Sequence, residues 1–311
     1  MAKRLISRRD AEMVAGITVF LASPREIKPF FYSGISMNCI PPQLSPTVLT
    51  IAGSDPTGGA GIQADLKTMT AIGVYGAAAI TCITVQNSRG VTESVPLDGG
   101  LVVRQVQAVL TDHYVTHIKI GMVGTIEIAS ALGKLLASYQ GEVIYDPVLA
   151  STTGQSLLSC GSLAELSDQL ISKVTVLTPN CSELEQLCRQ KIATPKEALA
   201  CAGTILARHE HLRAVIVKGG HLEPERPDIH DYLVMKNQEI KTSKRIRIRS
   251  ANLHGTGCTY ASAFAAFHCR ENDYHKAFCL TAAYMDSIIS KSSSLSLVKS
   301  GTNGPLVHAL Q

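Results

Sequence analysis

The string HGTGCT, residues 254–259, opens an apolar stretch with helical spacing and is the sharpest chemical feature of the sequence. Gly255 and Gly257 let the backbone bend and approach a ligand closely. The free N–H groups in the first turn of the helix, together with the helix dipole, favour an anion such as a phosphoryl group. Cys258 lies at this helix start, where the pKa of a thiol is lowered. We therefore predict an anion cradle in which a Cys258 thiolate takes the proton of an attacking hydroxyl; an ordinary helix start with an inert cysteine is the alternative.

A second Gly-rich string, GSDPTGGAGIQADLKT at Gly53–Thr68, lies between a predicted strand and a predicted helix. Its G-x-G-x-x-A pattern at Gly59–Ala64 resembles a dinucleotide fingerprint, but residues 81–85, about 20 positions on, lack the acidic residue of that motif, and the loop is long for its tight turn. The sequence contains no G-x-x-x-x-G-K-[ST] string, so phosphate binding must use another scaffold. Asp65, in the first helical turn, is expected either to complement the helix dipole or to accept hydrogen bonds from a substrate.

Polar residues follow three further predicted strands. Asn180 and Glu183 have the spacing of a capping box, which structure alone would explain, but Glu183 could also help to hold hydrated Mg²⁺ together with Asp146. Lys218 is expected to face nucleotide phosphates, or simply to extend its ammonium group into water at a strand end. Gln86 could bind the donors and acceptors of a heterocycle or belong to a turn.

The fold must bring these residues together at one place. From Thr47 onward, short apolar strands alternate with helical segments, which predicts an α/β fold with a mostly parallel central sheet and helices on both faces. Ligands of such folds bind at the carboxyl ends of the strands. The Gly-rich loop after Ala52, Asp146, Asn180 and Lys218 all follow predicted strands, so we expect one site along that edge of the sheet.

The two ends of the chain differ from its body. Residues 1–46 combine a basic start, a short apolar stretch and scattered proline, and we predict a poorly ordered extension or an upstream start codon, with a targeting or secretion segment as alternatives. Residues 47–292 form the predicted α/β domain. Residues 293–311 are a polar, low-complexity tail that we expect to be frayed.

Composition excludes several classes of protein. The formal net charge is only +4 and the Lys and Arg residues are scattered, so a nucleic-acid partner is not expected. No apolar run reaches the roughly 20 residues that span a bilayer. The nine cysteines include no C-x-x-C pair, which argues against a zinc ribbon or a thioredoxin-like site and favours the reducing cytoplasm. A homodimer is the default expectation for such an enzyme.

Taken together, the strings resemble those of the hydroxymethylpyrimidine/phosphomethylpyrimidine kinases of thiamine biosynthesis, within the ribokinase-like superfamily. The matching strings are TIAGSDPTGGAGIQADLKT, GVYG, VQN, KIGM, DPV, LTPN-x-x-E, VKGGH and HGTGCT, in this order across about residues 47–290. The resemblance implies a ribokinase-like fold, ATP, Mg²⁺ and a small-molecule pyrimidine substrate. It also implies two successive phosphorylations, of 4-amino-5-hydroxymethyl-2-methylpyrimidine and then of its monophosphate.

The resemblance also assigns roles to residues. It implies catalysis at Cys258 with an anion hole at Gly255 and Gly257; pyrimidine binding at Gly53, Ala60, Asp65, Gln86 and Met122; ATP binding at Asn180, Lys218 and Thr256; and metal binding at Asp146 and Glu183. Met122 would pack on the flat ring, although a methionine there is also compatible with an ordinary core position.

The chain departs from the family pattern in one segment. It has DPVLASTTG where the family usually has DPVMVAKSG, which places Thr152 where the family has a lysine. A missing cation near the phosphates is expected to slow the second transfer, in which more negative charge must be held. Leu149–Ser156 is also the candidate lid. Two other functions remain open from the sequence: a pyridoxal or pyridoxine kinase on the same scaffold, and a non-enzymatic protein that binds a nucleotide or vitamin.

Overall fold

A computed structural model describes residues 45–148, 163–299 and 303–308. Its helices and strands alternate along most of the chain. The strands are β1 (Thr47–Ser54), β2 (Tyr75–Asn87), β3 (Gly90–Pro96), β4 (Val115–Ile120), β5 (Glu142–Tyr145), β6 (Val176–Leu177), β7 (Ala214–Val217), β8 (Asp228–Met235) and β9 (Ile240–Ile246). The helices are α1 (Gly61–Ile72), α2 (Gly99–Asp112), α3 (Ile126–Leu136), α4 (Leu163–Leu170), α5 (Cys181–Cys188), α6 (Pro195–Arg208), α7 (Thr256–Glu271) and α8 (Tyr274–Ser293).

All nine strands form one sheet in the order β3-β2-β1-β4-β5-β6-β7-β8-β9. The strands from β2 to β7 in this order are mutually parallel. β3 at one edge and the pair β8 and β9 at the other are antiparallel to their neighbours. The predicted α/β fold with a mostly parallel central sheet is therefore confirmed.

Two hydrophobic cores lie on the two faces of the sheet. Along β5, Val143 and Tyr145 contribute to one core while Ile144 between them contributes to the other. Helices α2 to α6 supply the first core, and α1, α7 and α8 supply the second. Because side chains of a strand alternate between faces, a strand covered on both sides is expected to be mostly apolar, as most of the predicted strands are. The carboxyl ends of these buried strands then carry the polar residues.

The antiparallel edges are where the sequence prediction was incomplete. β3 was not predicted, because Gly90–Pro96 is a half-exposed edge strand with polar residues on its open side. The segments Glu239–Lys241 and Arg245–Arg249 were expected to be separate strands. The structure instead has one continuous strand, β9, which takes in only part of each segment and pairs with β8 over seven residue pairs. The predicted hairpin turn at Lys236 and Asn237 lies between these two strands as expected.

Several predictions concern the chain ends and one internal segment. Residues 1–44 of the predicted extension, Thr152 and the candidate lid at residues 149–156 lie outside the described residues. The tail was expected to be frayed, yet within residues 303–308 both Leu306 and His308 are only 3% exposed. Among the described residues, no helix is long and apolar enough to cross a membrane.

Candidate active site

An open cavity of about 470 Å³ lies where the parallel strands end. It brings together residues that are more than 200 positions apart in the sequence. Of the residues predicted to form the site, all except Asp65 line it: Gly53, Ala60, Gln86, Met122, Asp146, Asn180, Glu183, Lys218, Gly255, Thr256, Gly257 and Cys258.

The start of α7 forms one wall of the cavity. Gly255 caps the helix with a φ of 82°, in the left-handed region that favours glycine. A Cβ atom at this position would clash with the carbonyl oxygen of Gly59, so the helix start and the Gly-rich loop are in close contact. The N–H groups in the first turn of a helix have no partner within the helix. This arrangement fits the predicted anion cradle.

Cys258 lies in the first turn of α7 and lines the cavity. Burial raises the pKa of its thiol to about 11, which the neighbouring Lys119 and the N–H of Gly61 oppose but do not reverse, since Asp65 and Asp146 also raise it. The prediction of a lowered pKa was wrong in this respect. The sequence showed the helix dipole but not the burial or the two carboxylates around the sulfur.

Asp65 does not line the cavity, and the expected contact with substrate is corrected. Its side chain and that of Lys119 are both 0% exposed, and their charged atoms are 2.8 Å apart. Thr50 and Ser262 donate further hydrogen bonds to the same carboxylate. Because Asp65 thereby ties α1 to β1, β4 and α7 beneath the site, its oxygens are already occupied. The prediction that Asp65 lies in the first helical turn was also wrong, because α1 begins at Gly61 and Asp65 lies beyond its first turn, on the buried side of the helix.

Asp55 and His254 join the Gly-rich loop to the residues before α7, a contact that the sequence analysis did not predict. The Asp55 carboxylate accepts hydrogen bonds from the N–H groups of Thr57 and Ala60 and lies 2.9 Å from Nε2 of His254. Burial raises the pKa of Asp55, but the bonds from His254 and Thr57 outweigh it and lower the pKa to about 2. Asp55 is thus a charged acceptor that shapes the loop. An aspartate followed by Pro and Thr in a Gly-rich turn was the available signal.

Lys218 links two carboxylates on the opposite side of the cavity. Its ammonium nitrogen lies 2.7 Å from Oδ1 of Asp146 and 3.7 Å from Oε2 of Glu183. Burial lowers the pKa of Lys218, but the two carboxylates outweigh that effect and raise it. Lys218 is therefore a fixed positive charge beside the cradle. A Cβ atom at Gly257 would lie 3.5 Å from this nitrogen, so the glycine keeps the space between the start of α7 and Lys218 open.

Glu183 has the structural role that its spacing predicts. Asn180 and Glu183 form a capping box at the start of α5, in which each side chain accepts a hydrogen bond from the other residue's N–H group. Burial raises the pKa of Glu183 to about 7, although Lys218 lowers it, and Asp146 adds to the rise. The second carboxylate oxygen of Glu183 takes no part in the capping bond, so the capping of α5 is compatible with the predicted binding of Mg²⁺.

The carboxylates of Asp146 and Glu183 suit a hard divalent cation, which prefers oxygen ligands. Oδ2 of Asp146 is buried and has no hydrogen-bond partner in the described part of the chain, while its other oxygen binds Lys218. A buried carboxylate oxygen without a partner is costly unless a ligand satisfies it. Within residues 45–148, 163–299 and 303–308, no group of three His, Cys, Asp or Glu side chains could hold a metal. Two carboxylates suit Mg²⁺, which keeps several waters.

The opposite wall is formed by β1, β2 and the chain after β4. A Cβ atom at Gly53 would lie 3.2 Å from the sulfur of Met122, whose carbonyl oxygen accepts a hydrogen bond from Thr81. Gln86 is half-buried at the end of β2 with its side chain along the cavity. Met122 therefore packs against the loop that would hold a flat ring, and Gln86 supplies an amide at its edge.

A second cavity, also of about 470 Å³, adjoins the first and shares Asn180, Lys218, His221, Thr256 and Gly257 with it. Its walls come from β8, β9 and α8 and combine aliphatic side chains with arginines. Arg245 is bound by Asp231 and Asp286, whereas Arg247 donates to backbone carbonyls near Gly220. An apolar slot that leads from a basic rim to the cradle suits a nucleotide.

The comparisons with known proteins agree with this geometry. The family model described as phosphomethylpyrimidine kinase matches residues 55–304. The chain belongs to the phosphomethylpyrimidine kinase family. The hydroxymethylpyrimidine/phosphomethylpyrimidine kinase of Rhizobium meliloti is 37% identical over 84% of this chain and 96% of its own length. The protein of the same name from Escherichia coli is 36% identical over 79% of this chain and 92% of its own. The resemblance stated from the sequence is confirmed.

Solved structures are similar over the same part of the chain. Phosphomethylpyrimidine kinase from Clostridium difficile superposes with a TM-score of 0.65 at 33% identity, covering 79% of this chain and 98% of its own. Pyridoxal kinase from Staphylococcus aureus, in complex with AMP-PCP and pyridoxal, has a TM-score of 0.73 at 29% identity, covering 86% and 94%. These similarities confirm the ribokinase-like fold and the kinase class for this member of the phosphomethylpyrimidine kinase family.

Proposed function

We propose that this kinase transfers the γ-phosphoryl group of ATP to the hydroxymethyl group of hydroxymethylpyrimidine and then phosphorylates the resulting monophosphate, in thiamine biosynthesis. The observation that carries the proposal is the single cavity that places Cys258 and the glycine cradle opposite Lys218 and Asp146. Family membership and relatives named for this activity support it.

In the proposed reaction the substrate ring lies between Met122 and Gln86, with its hydroxymethyl group toward Cys258. The hydroxyl oxygen forms a bond to the γ-phosphorus of ATP while the bond from that phosphorus to ADP breaks. Cys258 accepts the hydroxyl proton, and because burial keeps its own thiol protonated, it must first release the thiol proton to water in the open cavity. The positive charge of Lys119 favours the thiolate. The first-turn N–H groups of α7 stabilise the negative charge on the transferring group.

The nucleotide would occupy the second cavity, with its base against β9 and α8 and its phosphates at the shared residues Lys218, Thr256 and Gly257. Asp146 and Glu183 would hold Mg²⁺. When bound, Mg²⁺ neutralises charge on the phosphates. Lys218 orients both carboxylates by lying between them.

A coupled assay of ADP release with hydroxymethylpyrimidine, ATP and Mg²⁺ tests the proposal. We expect turnover that requires both the pyrimidine and the metal, and that is lost in Asp146→Asn, which removes a charge beside Lys218. The variant Asp112→Asn, whose carboxylate is 86% exposed on α2, is the control. Absence of turnover by the full chain at millimolar substrate contradicts the proposal, and ADP release without the pyrimidine would indicate an ATPase.

Pyridoxal kinase activity is the second candidate. It is favoured by the pyridoxal kinase structures, whose TM-scores of 0.73 exceed the 0.65 of the phosphomethylpyrimidine kinase from Clostridium difficile. Both substrates carry a hydroxymethyl group on a flat nitrogen heterocycle, so the same cradle and thiol would serve either. The ratio of kcat/KM for the two substrates separates them, and a ratio in favour of pyridoxal would replace the first assignment.

Two features bear on the setting in which the enzyme works. The seven cysteines that the structure describes are free thiols, which supports a cytoplasmic location. On β2 and β3, Ile83, Val85 and Val95 are 43%, 51% and 46% exposed, and Ile83 lies directly opposite Val95. This apolar patch supports a homodimer, which light scattering would detect and which Ile83→Lys should convert to monomer.

A further inference from the structure

Residues 303–308, the C-terminal segment, run alongside the residues that precede the anion cradle. The N–H of His254 donates to the carbonyl oxygen of Gly304 at 3.1 Å, and the N–H of Gly304 donates to Ala251 at 2.9 Å. His254 and Pro305 also pair as parallel strands do. The backbone just before Gly255 is therefore held from outside by the end of the chain.

The same segment contacts the Gly-rich loop. A Cβ atom at Gly59 would lie 2.5 Å from the ring of His254 and 2.8 Å from Cβ of Pro305, so these three residues are packed against one another. Gly59 also donates its N–H to Asp55, which binds His254. The C-terminal segment thus contacts both the loop and the helix start on the two sides of the cavity rim.

The segment is anchored to α8 on its other side. The N–H of Val307 donates to Oγ of Ser292 at 2.8 Å, and Tyr284 donates its hydroxyl to the carbonyl oxygen of His308 at 3.0 Å. Leu306 is buried in the core formed by α1, α7 and α8. These contacts connect the cavity rim to the buried side of a long helix.

His308 contacts the residue next to Cys258. Its Nε2 lies 3.0 Å from Oγ1 of Thr259, the residue that follows Cys258 in the first turn of α7. Burial, together with the charge of Lys67, lowers the pKa of His308 to about 4, so the ring is neutral at pH 7. A neutral imidazole can hold the threonine hydroxyl without adding charge beside the thiol.

We propose that the C-terminal segment is a positioning element that fixes the anion cradle and Cys258 relative to the Gly-rich loop. The proposal rests on the kinase function proposed above. None of residues 303–308 lines either cavity, so the segment acts through His254 and Thr259 and not by touching substrate. Misplacement of reacting groups by about 1 Å can cost about 100-fold in rate, whereas nucleotide binding in the second cavity needs no such alignment.

The test compares the full chain with a chain that ends at residue 302, using hydroxymethylpyrimidine and ATP. We expect kcat to fall about 100-fold in the shortened chain while KM for ATP stays unchanged. A synthetic peptide of residues 303–311, added in trans, should restore much of the lost kcat. An unchanged kcat in the shortened chain overturns the proposal, as does equal loss of kcat and of ATP affinity.

A milder variant keeps the proposal testable if the shortened chain does not fold. Ser292→Ala removes the acceptor of the Val307 N–H from α8 at a residue that lines neither cavity, and should lower kcat about tenfold. Ser293→Ala changes the exposed neighbouring serine, whose hydroxyl donates a hydrogen bond to the carbonyl oxygen of Ser290, and is the matched control with unchanged kcat. Equal kcat in the two variants overturns the proposal.

A readout without substrate separates failure of this proposal from failure of the proposed function. The alkylation rate of Cys258 by iodoacetamide, followed by mass spectrometry, reports the surroundings of the thiol whatever the substrate is. We expect the rate to rise in Ser292→Ala and to stay at the full-chain value in Ser293→Ala. If the full chain phosphorylates no pyrimidine but these rates differ, only the proposed function fails; identical rates reject the positioning role.

Discussion

The thiol of Cys258 lies where two opposing influences act on it. The start of α7 and Lys119 favour the thiolate, whereas burial and the carboxylates of Asp65 and Asp146 favour the thiol. Removal of a general base typically costs about 10²- to 10⁴-fold in rate. Cys258→Ala should therefore lower kcat by that factor with little change in KM, as measured by steady-state kinetics. A Cys258→Ala variant with the kcat of the parent enzyme contradicts the proposed base.

The raised pKa of Cys258 also predicts a pH profile. Below a pKa of about 11, the thiolate fraction increases about tenfold per pH unit. If the thiolate is the base in the free enzyme, kcat/KM should rise steadily between pH 7 and about 9. The profile is measured at constant ionic strength with the thermal stability of the protein checked at each pH. A plateau already present at pH 7 would mean that another group is the base.

Asp55 predicts a stability effect at the Gly-rich loop. Its folded pKa of about 2 is below the ordinary 3.8, so it contributes stability that is present above about pH 4 and lost as the pH falls toward 2. Asp55→Asn should lower the free energy of unfolding at pH 7 by about 2 kcal/mol. Urea unfolding measures this loss, and the gap to the parent protein should narrow as the pH falls from about 4 toward 2. The exposed Asp112→Asn is the control, and an equal effect in both variants refutes the role of Asp55.

Asp65 and Asp55 show what residue types alone do not reveal. Both lie in the same Gly-rich string, and the sequence pointed to Asp65 because its pattern placed that residue in the first turn of a predicted helix. In the structure, Asp65 lies beneath the site and binds Lys119 of β4. Asp55 lies at the rim of the site and binds His254, which precedes α7. Each partner is more than 50 positions away in the sequence, and the local pattern of the string does not predict which residue it is.

At the scale of elements, the start of α7 is the part of the site that depends most on glycine. A Cβ atom at Gly257 would lie 3.5 Å from the Lys218 nitrogen and 3.7 Å from Oδ2 of Asp146, in the space where phosphoryl oxygens would lie. Its φ is not in the left-handed region, in contrast to Gly255, so alanine can be placed there without backbone strain.

Gly257→Ala should therefore lower kcat about 100-fold while the unfolding temperature stays near that of the parent enzyme. Gly203→Ala is the matched control, since a Cβ atom at Gly203 in α6 meets nothing within 4 Å. Steady-state kinetics and thermal unfolding of both variants provide the measurement. If Gly257→Ala retains full activity, the phosphoryl group does not bind at the start of α7.

The elements that carry the site were predictable because their signals are local. A glycine pair before an apolar helix, an asparagine three residues before a glutamate, and strands of continuous apolar residues each specify a backbone geometry without reference to the rest of the chain. β3 and β9 were harder because edge strands are half-exposed and carry polar side chains, so their pattern resembles that of a loop.

At the scale of the whole molecule, the alternation of strands and helices predicted the parallel sheet and hence the edge on which the site lies. That rule brought Gly53, Asp146, Asn180 and Lys218 to one cavity, as the structure confirms. The role of the chain end could not be predicted. Residues 303–308 are packed through contacts with His254, Thr259 and Ser292, and their own composition is that of a tail.

In the proposed reaction, a phosphoryl group passes from ATP in the second cavity to the pyrimidine in the first. ATP labelled in its terminal phosphate, incubated with the full chain, Mg²⁺ and hydroxymethylpyrimidine, follows that event directly. We expect the label to appear first in pyrimidine monophosphate, which the same enzyme then phosphorylates again. Cys258→Ala should form both products far more slowly. Label found only in inorganic phosphate, or in no product at all, contradicts the proposed reaction.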